Sequence, residues 1–366
     1  MNDSRTLWLI AAVLILLGIS SAIISILRRR PESRIDPAIL ETFRVRVRAW
    51  WILFATLAAA LLLHPYSWAH WATVGLFGLL SFWALREFIT VTPTRPGDHR
   101  TLFWVFFLIT PLQFWLVGMG GYNSATYPTR PEYYYGLYSI LIPVYAFLLI
   151  PTRIAMAGDY RRFLERTAKI QCGLLICVYC LSYAPALLSL EKRANSQERA
   201  HAVAVDATIS PKEKIAESAA AGTGEPDAGG GPRLLFFFIL IAQLSDALQY
   251  AWSQLPNKHV IVPAINTTRT WEGLLGGTAS VMLIGALLWW ATPFSGANWW
   301  MSAVMSAVIA LMGFAGSITM SAIKRDRGVK DYGTLIEGHG GVLDHIDSIC
   351  FAAPVFFHFT RWWLGA

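Results

Sequence analysis

Ten long apolar segments run through this chain, and they constrain its fold more than any other feature of the sequence. A helix of about 20 apolar residues crosses the ~30 Å hydrocarbon core of a bilayer. Hydrophobic residues make up 55% of the chain and charged residues 14%, whereas soluble domains carry roughly 25% charged residues. The sequence therefore predicts an all-α, polytopic integral membrane protein with about ten transmembrane helices. The segments lie at about 7–27, 49–63, 69–89, 102–120, 133–151, 170–190, 234–254, 273–292, 299–323 and 347–364.

Lysines and arginines concentrate in alternate loops between these segments. The basic loops of the first half are 28–48, 86–101 and 152–169, and the loops between them are poor in Lys and Arg. Basic loops of membrane proteins stay in the cytoplasm. With ten spans, the later loops 255–272 and 324–346 lie on the same cytoplasmic face. We therefore expect a multi-pass protein of the cell membrane whose polar motifs face the cytoplasm.

A polar segment divides the apolar runs into two groups. Residues 191–232 have nearly balanced charge and a glycine-rich end, a composition typical of a disordered linker. We therefore predict an N-terminal membrane region at 1–190 with about six spans, this linker, and a C-terminal membrane region at 233–366 with about four. The first run is followed by its arginines and is long for a signal peptide, so we expect it to be retained as a span.

The remaining charge and cysteine patterns exclude several kinds of site. The net charge of +7 comes largely from loop arginines that set orientation, so it does not indicate nucleic-acid binding. Cys177 and Cys180 have the spacing of a zinc ligand pair, but no second pair completes a site, and we predict a packing role. Arg86 and Glu87, at the end of the third segment, are predicted to form a local ion pair.

Hydroxyl and basic residues share one face of the ninth apolar segment. Ser317, Ser321 and the Lys324–Arg325 pair recur at helical spacing, so they point to the same side of a helix. Further charged residues follow, among them Arg327, Lys330 and Asp331. Isolated cations at a membrane edge are typical of snorkelling anchors. The glycine turn and carboxylates that come next favour phosphate binding instead.

That turn contains His339, Gly340 and Gly341, where the backbone can approach a ligand closely. Successive backbone N–H groups in such a turn can cradle phosphate oxygens. Asp344 and Asp347 follow three residues apart, on one face of the last helix if it has begun there. Carboxylates combined with phosphate oxygens suit Mg²⁺, and helix capping is the alternative. The sequence predicts phosphate and Mg²⁺ binding, with a second cation left open.

A second polar cluster precedes the eighth segment. Asp246 lies inside an apolar run, where a carboxylate is expensive unless it is paired or lines a wet cavity, so it is a functional candidate. Lys258 and Arg269 are placed to contact phosphates, and Arg can do so through two hydrogen bonds. Gly276 and Gly277 are typical of close helix packing.

Together these residues resemble the phosphatidate cytidylyltransferases, also called CDP-diacylglycerol synthases. The resemblance is clear over roughly 240–350 and only hydropathic before the linker. The positions that match the family signature in register are Ser321, Ile323, Lys324, Arg325, Lys330, Asp331, Gly333, Ile336, His339, Gly340, Gly341, Val342, Asp344, Ile346 and Asp347. The upstream positions that look similar are Asp246, Tyr250, Lys258, His259, Thr270, Glu272, Gly273, Gly276 and Gly277.

Several departures mark the chain as a divergent, bacterial-type member. Glu337 stands where the family has Pro or Gly, His345 where it has Arg, and Arg269 where it has Lys. Most importantly, the family has Asp four residues before the signature serine, and this chain has Ser317. That Asp is taken to share the metal site with the aspartates that follow the glycine turn. A serine hydroxyl can ligate Mg²⁺ but supplies no charge.

The resemblance implies CTP-dependent cytidylyl transfer to phosphatidate, giving CDP-diacylglycerol and pyrophosphate in phospholipid biosynthesis. It makes 233–366 the catalytic region. The implied catalytic residues are Lys324, Lys330, Asp331, His339 and Asp344. The implied substrate-binding residues are Asp246, Lys258, Arg269, Ser321, Arg325, Gly340 and Gly341. The implied Mg²⁺ ligands are Asp344, Asp347 and Ser317. Asp246 is expected to hold a second cation or a cationic side chain.

The sequence leaves other functions open. They are cytidylyl transfer to another lipid, a CTP-dependent lipid kinase, and a catalytically inactive binding paralogue, the last suggested by Ser317 and His345. A transporter is disfavoured, because its polar residues should lie near the bilayer midplane in several spans, whereas these gather on one face. The expected partners are CTP and membrane phosphatidate, with no nucleic acid, and a homodimer is left open.

Overall fold

The structure, a computed structural model, consists of helices and one small sheet, which confirms the all-α class. It describes residues 4–29, 67–92, 94–126, 132–190, 230–256, 259–292, 299–333 and 340–364, and residues 44, 47, 51, 54, 55 and 58. The predicted site residues Lys258 and His339 lie outside these ranges, as do residues 191–229 of the predicted linker. The division into regions therefore stays a prediction.

Six of the N-terminal helices are joined in pairs by short π-helical stretches, so that each pair forms one long helical rod. These helices are α1 (Ser4–Arg29), α2 (Ser67–Val91), α3 (His99–Trp104), α4 (Thr110–Thr126), α5 (Glu132–Ile140), α6 (Phe147–Ala155), α7 (Phe163–Leu174) and α8 (Leu181–Ala186). The π-helical stretches Val105–Ile109, Leu141–Ala146 and Leu175–Cys180 connect α3 to α4, α5 to α6 and α7 to α8. Pro111, Pro143 and Pro185 lie within or just after these stretches, and proline cannot donate the usual helical hydrogen bond.

The described part of the C-terminal region contains four α-helices and a short β-hairpin, which the sequence did not predict and which packs on three of these helices. The elements are α9 (Gly230–Trp252), β1 (Val260–Val262), β2 (Asn266–Thr270), α10 (Trp271–Leu287), α11 (Trp299–Arg327) and α12 (Leu343–Trp363). Strands β1 and β2 pair antiparallel. Helix α10 packs against α9 and α11, and α11 packs against α12. Helix α12 also packs on α8, so helices from both ends of the chain share one interface.

Six of the described helices are long and apolar enough to cross a membrane, so the chain is a multi-pass membrane protein. They are Trp68–Val91, Pro96–Gly120, Tyr134–Ala155, Phe163–Ser189, Gly231–Trp252 and Trp299–Arg327, and they confirm six predicted segments. Shorter apolar helices, Val13–Ile26 and Trp271–Leu287, fall on two more. Helix α12 covers the last segment, and segment 49–63 lies mostly outside the described residues. The count of ten therefore stays a prediction.

Contacts among the loops confirm that four of the five basic or motif-bearing loops lie at one end of the helices. Glu87, at the end of α2, contacts the start of α12. Arg327 lies 3.9 Å from Glu165, which follows the loop between α6 and α7. Arg325 donates a hydrogen bond of 3.1 Å to the carbonyl oxygen of Ile265 in the hairpin. The fifth loop, 28–48, is outside the described residues apart from positions 28, 29, 44 and 47.

Candidate active site

Arg269 is the centre of one half of the site. Its guanidinium donates to the Gln249 Oε1 at 2.8 Å, to the Asp246 Oδ1 at 3.2 Å, and to the Ser317 hydroxyl. The partner of the intramembrane carboxylate Asp246 is thus a cationic side chain. Ser317, predicted as a metal ligand, is bound to the same cation. Arg269 therefore connects α9, β2 and α11 through a single side chain.

Local sequence explains how Arg269 reaches this position. Thr270 caps α10, with its hydroxyl accepting a hydrogen bond of 3.0 Å from the Gly273 N–H, so β2 ends directly above the helix. A Cβ on Gly277 would lie 2.8 Å from the backbone nitrogen of Gln249. Only a residue without a side chain allows α10 to pack so closely on α9. Gly277, one of the two glycines predicted to allow close packing, thus lies against Gln249, whose side chain accepts the hydrogen bond from Arg269.

The hairpin lies on α11, the helix that carries the signature residues Ser321, Lys324 and Arg325. The Asn266 side-chain amide donates to the Ser321 hydroxyl at 3.0 Å, and Arg325 binds the hairpin backbone as described above. His259 and Glu272 brace the base of the hairpin, with 2.6 Å between Nδ1 and Oε1. Two residues predicted to bind substrate, Ser321 and Arg325, therefore hold the hairpin in this structure.

Lys324 and Asp344 form the other half of the site. The Lys324 Nζ donates to Asp344 Oδ1 at 2.8 Å. Asp344 Oδ2 accepts hydrogen bonds from the Tyr332 and Gly341 backbone N–H groups, both at 2.9 Å. The Lys324 ammonium also lies 5.5 Å from the centre of the Tyr332 ring. Asp344 thus connects Lys324 of α11 to the backbone at Tyr332 and to the backbone at Gly341, just before α12.

Gly340 and Gly341 are needed because the backbone passes directly over carboxylates. Gly340 has φ +86°, and a Cβ there would lie 2.6 Å from Asp344 Oδ2 and 3.3 Å from the Asp331 Cβ. A Cβ on Gly341 would collide with the Glu87 carboxylate. A larger residue at Gly340 would displace the Asp344 carboxylate, and one at Gly341 would displace the Glu87 carboxylate.

The backbone N–H groups beside these glycines were predicted to cradle phosphate. In the structure they donate to carboxylates: Gly341 to Asp344, and Val342 and Leu343 to Glu87. The predicted ion pair between Arg86 and Glu87 is wrong, since the Glu87 carboxylate accepts from backbone N–H groups instead. Arg86 lies over the Trp83 ring, 5.1 Å from its centre, because adjacent helical residues point in different directions.

Asp347 is the least neutralised carboxylate of the site. Its side chain is 8% exposed, and Oδ1 accepts a hydrogen bond of 2.7 Å from the Ser348 N–H. Across the described residues, no Lys or Arg nitrogen lies within 4.0 Å of it. Asp246 is close enough to repel it electrostatically, and Arg269 and Lys324 attract it from beyond that distance. A Cβ on Gly316 would lie 2.8 Å from the Asp347 carbonyl oxygen, so Asp347 packs on the helical turn that carries Ser317.

The other predicted residues are not part of this cluster. Lys330 and Asp331 are exposed near the start of the loop that follows α11, although Asp331 lies beside Gly340. Sequence reasoning missed Gln249, Tyr332 and the role of Glu87. Gln249 was detectable as a polar residue three positions after Asp246 in an apolar run. Among the ranges that the structure covers, no three His, Cys, Asp or Glu side chains form a metal-binding group.

The fold and site define a multi-pass membrane protein with a charged cluster at one end of its helices. The Cytidylyltransferase family matches residues 44–363. The chain therefore belongs to the cytidylyltransferase family, a family of nucleotidyltransferases.

Individual relatives differ in how much of the chain they share. An uncharacterized protein of Escherichia coli (strain K12), YnbB, is 31% identical over 322 residues, which is 87% of each chain. Phosphatidate cytidylyltransferases of Staphylococcus haemolyticus (strain JCSC1435) and Staphylococcus epidermidis (strain ATCC 12228 / FDA PCI 1200) are 30% and 34% identical over 125 residues. Those matches cover 34% of this chain and 48% of theirs, so they span about half of each enzyme.

Proposed function

We propose that this protein transfers the cytidylyl group of CTP to phosphatidate, giving CDP-diacylglycerol and pyrophosphate. The observation that carries the proposal is the pairing of Lys324 with Asp344 and of Arg269 with Asp246 at one end of membrane helices, with Asp347 close by. Fixed cations at the edge of a bilayer are complementary to the negative charge of a nucleoside triphosphate and of a lipid phosphate. The phosphatidate cytidylyltransferases among the relatives support this substrate.

Lys324 and Arg269 would supply the fixed positive charge. Both are partly exposed, at 18% and 16%, so a phosphate oxygen can approach them while their carboxylate partners hold them in place. Preorganised charge of this kind stabilises a transition state without reorganisation. Lys258, Lys330 and Arg325 would extend the cationic surface, with Ser321, Gly340 and Gly341 holding the substrate-facing loops.

A magnesium ion fits one part of the site. In nucleotide sites Mg²⁺ is bound by one or two carboxylates and completed by water and substrate phosphates. Asp347 meets this requirement, because it is a buried carboxylate without a close cation, and Asp246 lies near it. Asp344 and Ser317 are engaged by Lys324 and Arg269, so they would contribute as ligands only after exchanging those partners. When bound, Mg²⁺ would supply positive charge to the nucleotide phosphates.

The reaction needs positioning more than covalent chemistry. A phosphate oxygen of phosphatidate forms a bond to the α-phosphorus of CTP. The bond from that phosphorus to its bridging oxygen breaks, and pyrophosphate leaves. Lys324 and Arg269 would hold the charged oxygens in line. Asp331 and His339 would orient the glycine turn or move a proton.

The same proposal places the protein in the cell membrane with this end toward the cytoplasm, where CTP is found. The basic loops that share the site's face support this orientation. A homodimer is compatible with it and is tested by the mass of the purified protein in detergent.

Pyrophosphate release by the purified full chain tests the proposal. Release should require CTP, Mg²⁺ and phosphatidate together, and Asp344→Ala should abolish it. Asp326→Asn is the matched control, because Asp326 is 65% exposed and pairs only with Arg327 in the described structure. No release from the wild type, or equal release from Asp344→Ala, contradicts the proposal.

A second candidate is a binding protein without catalytic activity. It is favoured by Ser317, which supplies no charge and whose hydroxyl already accepts a hydrogen bond from Arg269. The double variant Ser317→Asp with His345→Arg restores the family residues. Activity that appears only in this variant supports the inactive paralogue, and activity in the wild type excludes it.

A further inference from the structure

Glu87 binds the start of the last helix from the opposite half of the chain. It lies in the last turn of α2, and its side chain is 6% exposed. Oε1 accepts a hydrogen bond of 3.0 Å from the Val342 N–H, and Oε2 accepts one of 2.9 Å from the Leu343 N–H. These N–H groups belong to the first turn of α12 and have no partner within that helix. A carboxylate there also interacts favourably with the helix dipole.

The backbone of two glycines lies directly against the Glu87 carboxylate. A Cβ on Gly333 would lie 2.8 Å from Glu87 Oε1, and one on Gly341 would collide with the same carboxylate. The next residue of α2, Phe88, stacks on Tyr332 with 6.2 Å between ring centres and 18° between planes. Helix α2 therefore contacts the chain on both sides of the glycine turn.

These contacts lead directly to the charged pair of the site. Glu87 binds the two residues that follow Gly341, and Phe88 stacks on the Tyr332 ring. The backbone N–H groups of Gly341 and Tyr332 are the donors to Asp344 Oδ2. The other oxygen of Asp344 binds Lys324. A shift of residues 341–343 away from α2 would therefore move Asp344, and with it Lys324.

We propose that Glu87 is a positioning residue, through which the N-terminal region sets the geometry of the Asp344–Lys324 pair. The proposal deepens the function proposed above and rests on it for its catalytic part. Glu87 acts through backbone N–H groups and does not touch a substrate. A different role, in which the carboxylate occupies a phosphate site until CTP displaces it, makes the opposite prediction for CTP binding.

Hydrogen exchange tests the contact without any enzyme assay. Full-length wild type, Glu87→Gln and Glu87→Ala are compared by the amide exchange of the peptide that contains Val342 and Leu343. Removing two hydrogen bonds to a charged group should speed exchange at least about tenfold in Glu87→Ala, with a smaller change in Glu87→Gln. Glu165→Gln is the matched control, since Glu165 is a carboxylate at the same end that pairs with Lys169 and Arg327. Unchanged exchange in Glu87→Ala overturns the proposal.

Kinetics test the positioning. In Glu87→Gln, kcat should fall at least about tenfold while the KM for CTP and the unfolding midpoint stay near the wild-type values, because a small displacement of reacting groups mainly costs rate. Tighter CTP binding in Glu87→Gln would indicate a displaced placeholder and overturn the proposal, as would faster exchange with an unchanged kcat. If the wild type forms no CDP-lipid, the proposed function fails, whereas the exchange result still decides whether Glu87 holds the turn.

Discussion

Two charge clusters lie at the same end of the molecule and differ in how completely their charges are satisfied. The N-terminal charge cluster consists of Arg95, Asp98, Asp159 and Arg166. The active-site charge cluster consists of Asp246, Arg269, Lys324, Asp344 and Asp347. In the first, the Arg166 and Asp98 side chains are 4% and 0% exposed, and the Arg95 and Asp159 side chains at its rim are 40% and 31% exposed. In the second, the paired side chains are 9% to 20% exposed.

The partners explain the difference. Arg166 binds both oxygens of Asp98, and its remaining N–H groups donate to the carbonyl oxygens of Asp159 and Arg161 at 2.9 and 3.1 Å. In that cluster each charge has an opposite charge within 4.0 Å, and the cluster joins the loop before α3 to the loop before α7. The active-site charge cluster keeps Asp347 without a close cation. A cluster whose charges are all directly paired holds structure, whereas one with a carboxylate outside any direct ion pair is suited to bind a ligand.

The largest expected effect is on catalysis. Asp347→Asn should lower kcat roughly 100- to 1,000-fold, the range seen when a preorganised electrostatic contact is lost. The unfolding midpoint should not fall, because a buried carboxylate without a close cation is costly to keep charged. Initial rates and thermal unfolding of Asp347→Asn and Asp326→Asn measure both. Full activity in Asp347→Asn would place the open carboxylate outside the mechanism.

The N-terminal charge cluster should show the reverse pattern. Arg166→Met leaves Asp98 buried and unpaired, which should destabilise the protein by about 3 kcal/mol. The turnover of each folded molecule should not change, because Arg166 contacts no predicted substrate group. Arg162→Met is the control, since Arg162 is 76% exposed. Equal unfolding midpoints for the two variants would show that this cluster does not stabilise the fold.

A smaller effect is expected where the active site departs from its family. Ser317→Asp adds a carboxylate beside Asp246 and Asp347 and should raise the affinity for Mn²⁺ on the order of tenfold, because ligand charge governs such affinities. Ser317→Asn has a similar shape without the charge and should leave the affinity unchanged. Titration of each purified variant with Mn²⁺ measures the difference. Equal affinities would mean that position 317 does not face the metal site.

The smallest effect concerns pH. Hydrogen bonds from the Arg95 guanidinium and from the Arg161 backbone N–H lower the pKa of Asp159 below its ordinary value of 3.8. A lowered pKa in the folded state stabilises the protein above the unfolded pKa, and this contribution is lost as the pH falls through the folded value. Asp159→Asn should therefore unfold slightly more easily than the wild type at neutral pH and equally at strongly acidic pH. A difference that grows toward acidic pH contradicts this assignment.

Local patterns predicted much of the fold and part of the site. Apolar runs located six membrane helices, and helical spacing put Ser317, Ser321 and Lys324 on one side of α11, where two of them reach their partners across the site. Asp246 was identified from its position in an apolar run. Each of these inferences depends on residues within a few turns of one another, where helical geometry is known in advance.

Long-range contacts were beyond such patterns. Glu87 lies 255 residues before Val342, and nothing in the spacing around either residue pairs them. The partners of Asp344 and the β-hairpin also depend on how distant helices pack. The glycine turn as a phosphate cradle stays a prediction, and the carboxylates that its Gly341 and Val342 N–H groups contact come from other parts of the fold.

The central claim is that the active-site charge cluster directs cytidylyl transfer to a lipid phosphate. The most direct measurement follows radioactive phosphorus from CTP into lipid, using the purified protein in phosphatidate-containing nanodiscs with Mg²⁺. Label from the α-phosphate should appear in CDP-diacylglycerol, and label from the γ-phosphate should leave as pyrophosphate. Entry of the γ-label into lipid would indicate a kinase, and no entry of either label would indicate a binding protein; both results would contradict the account.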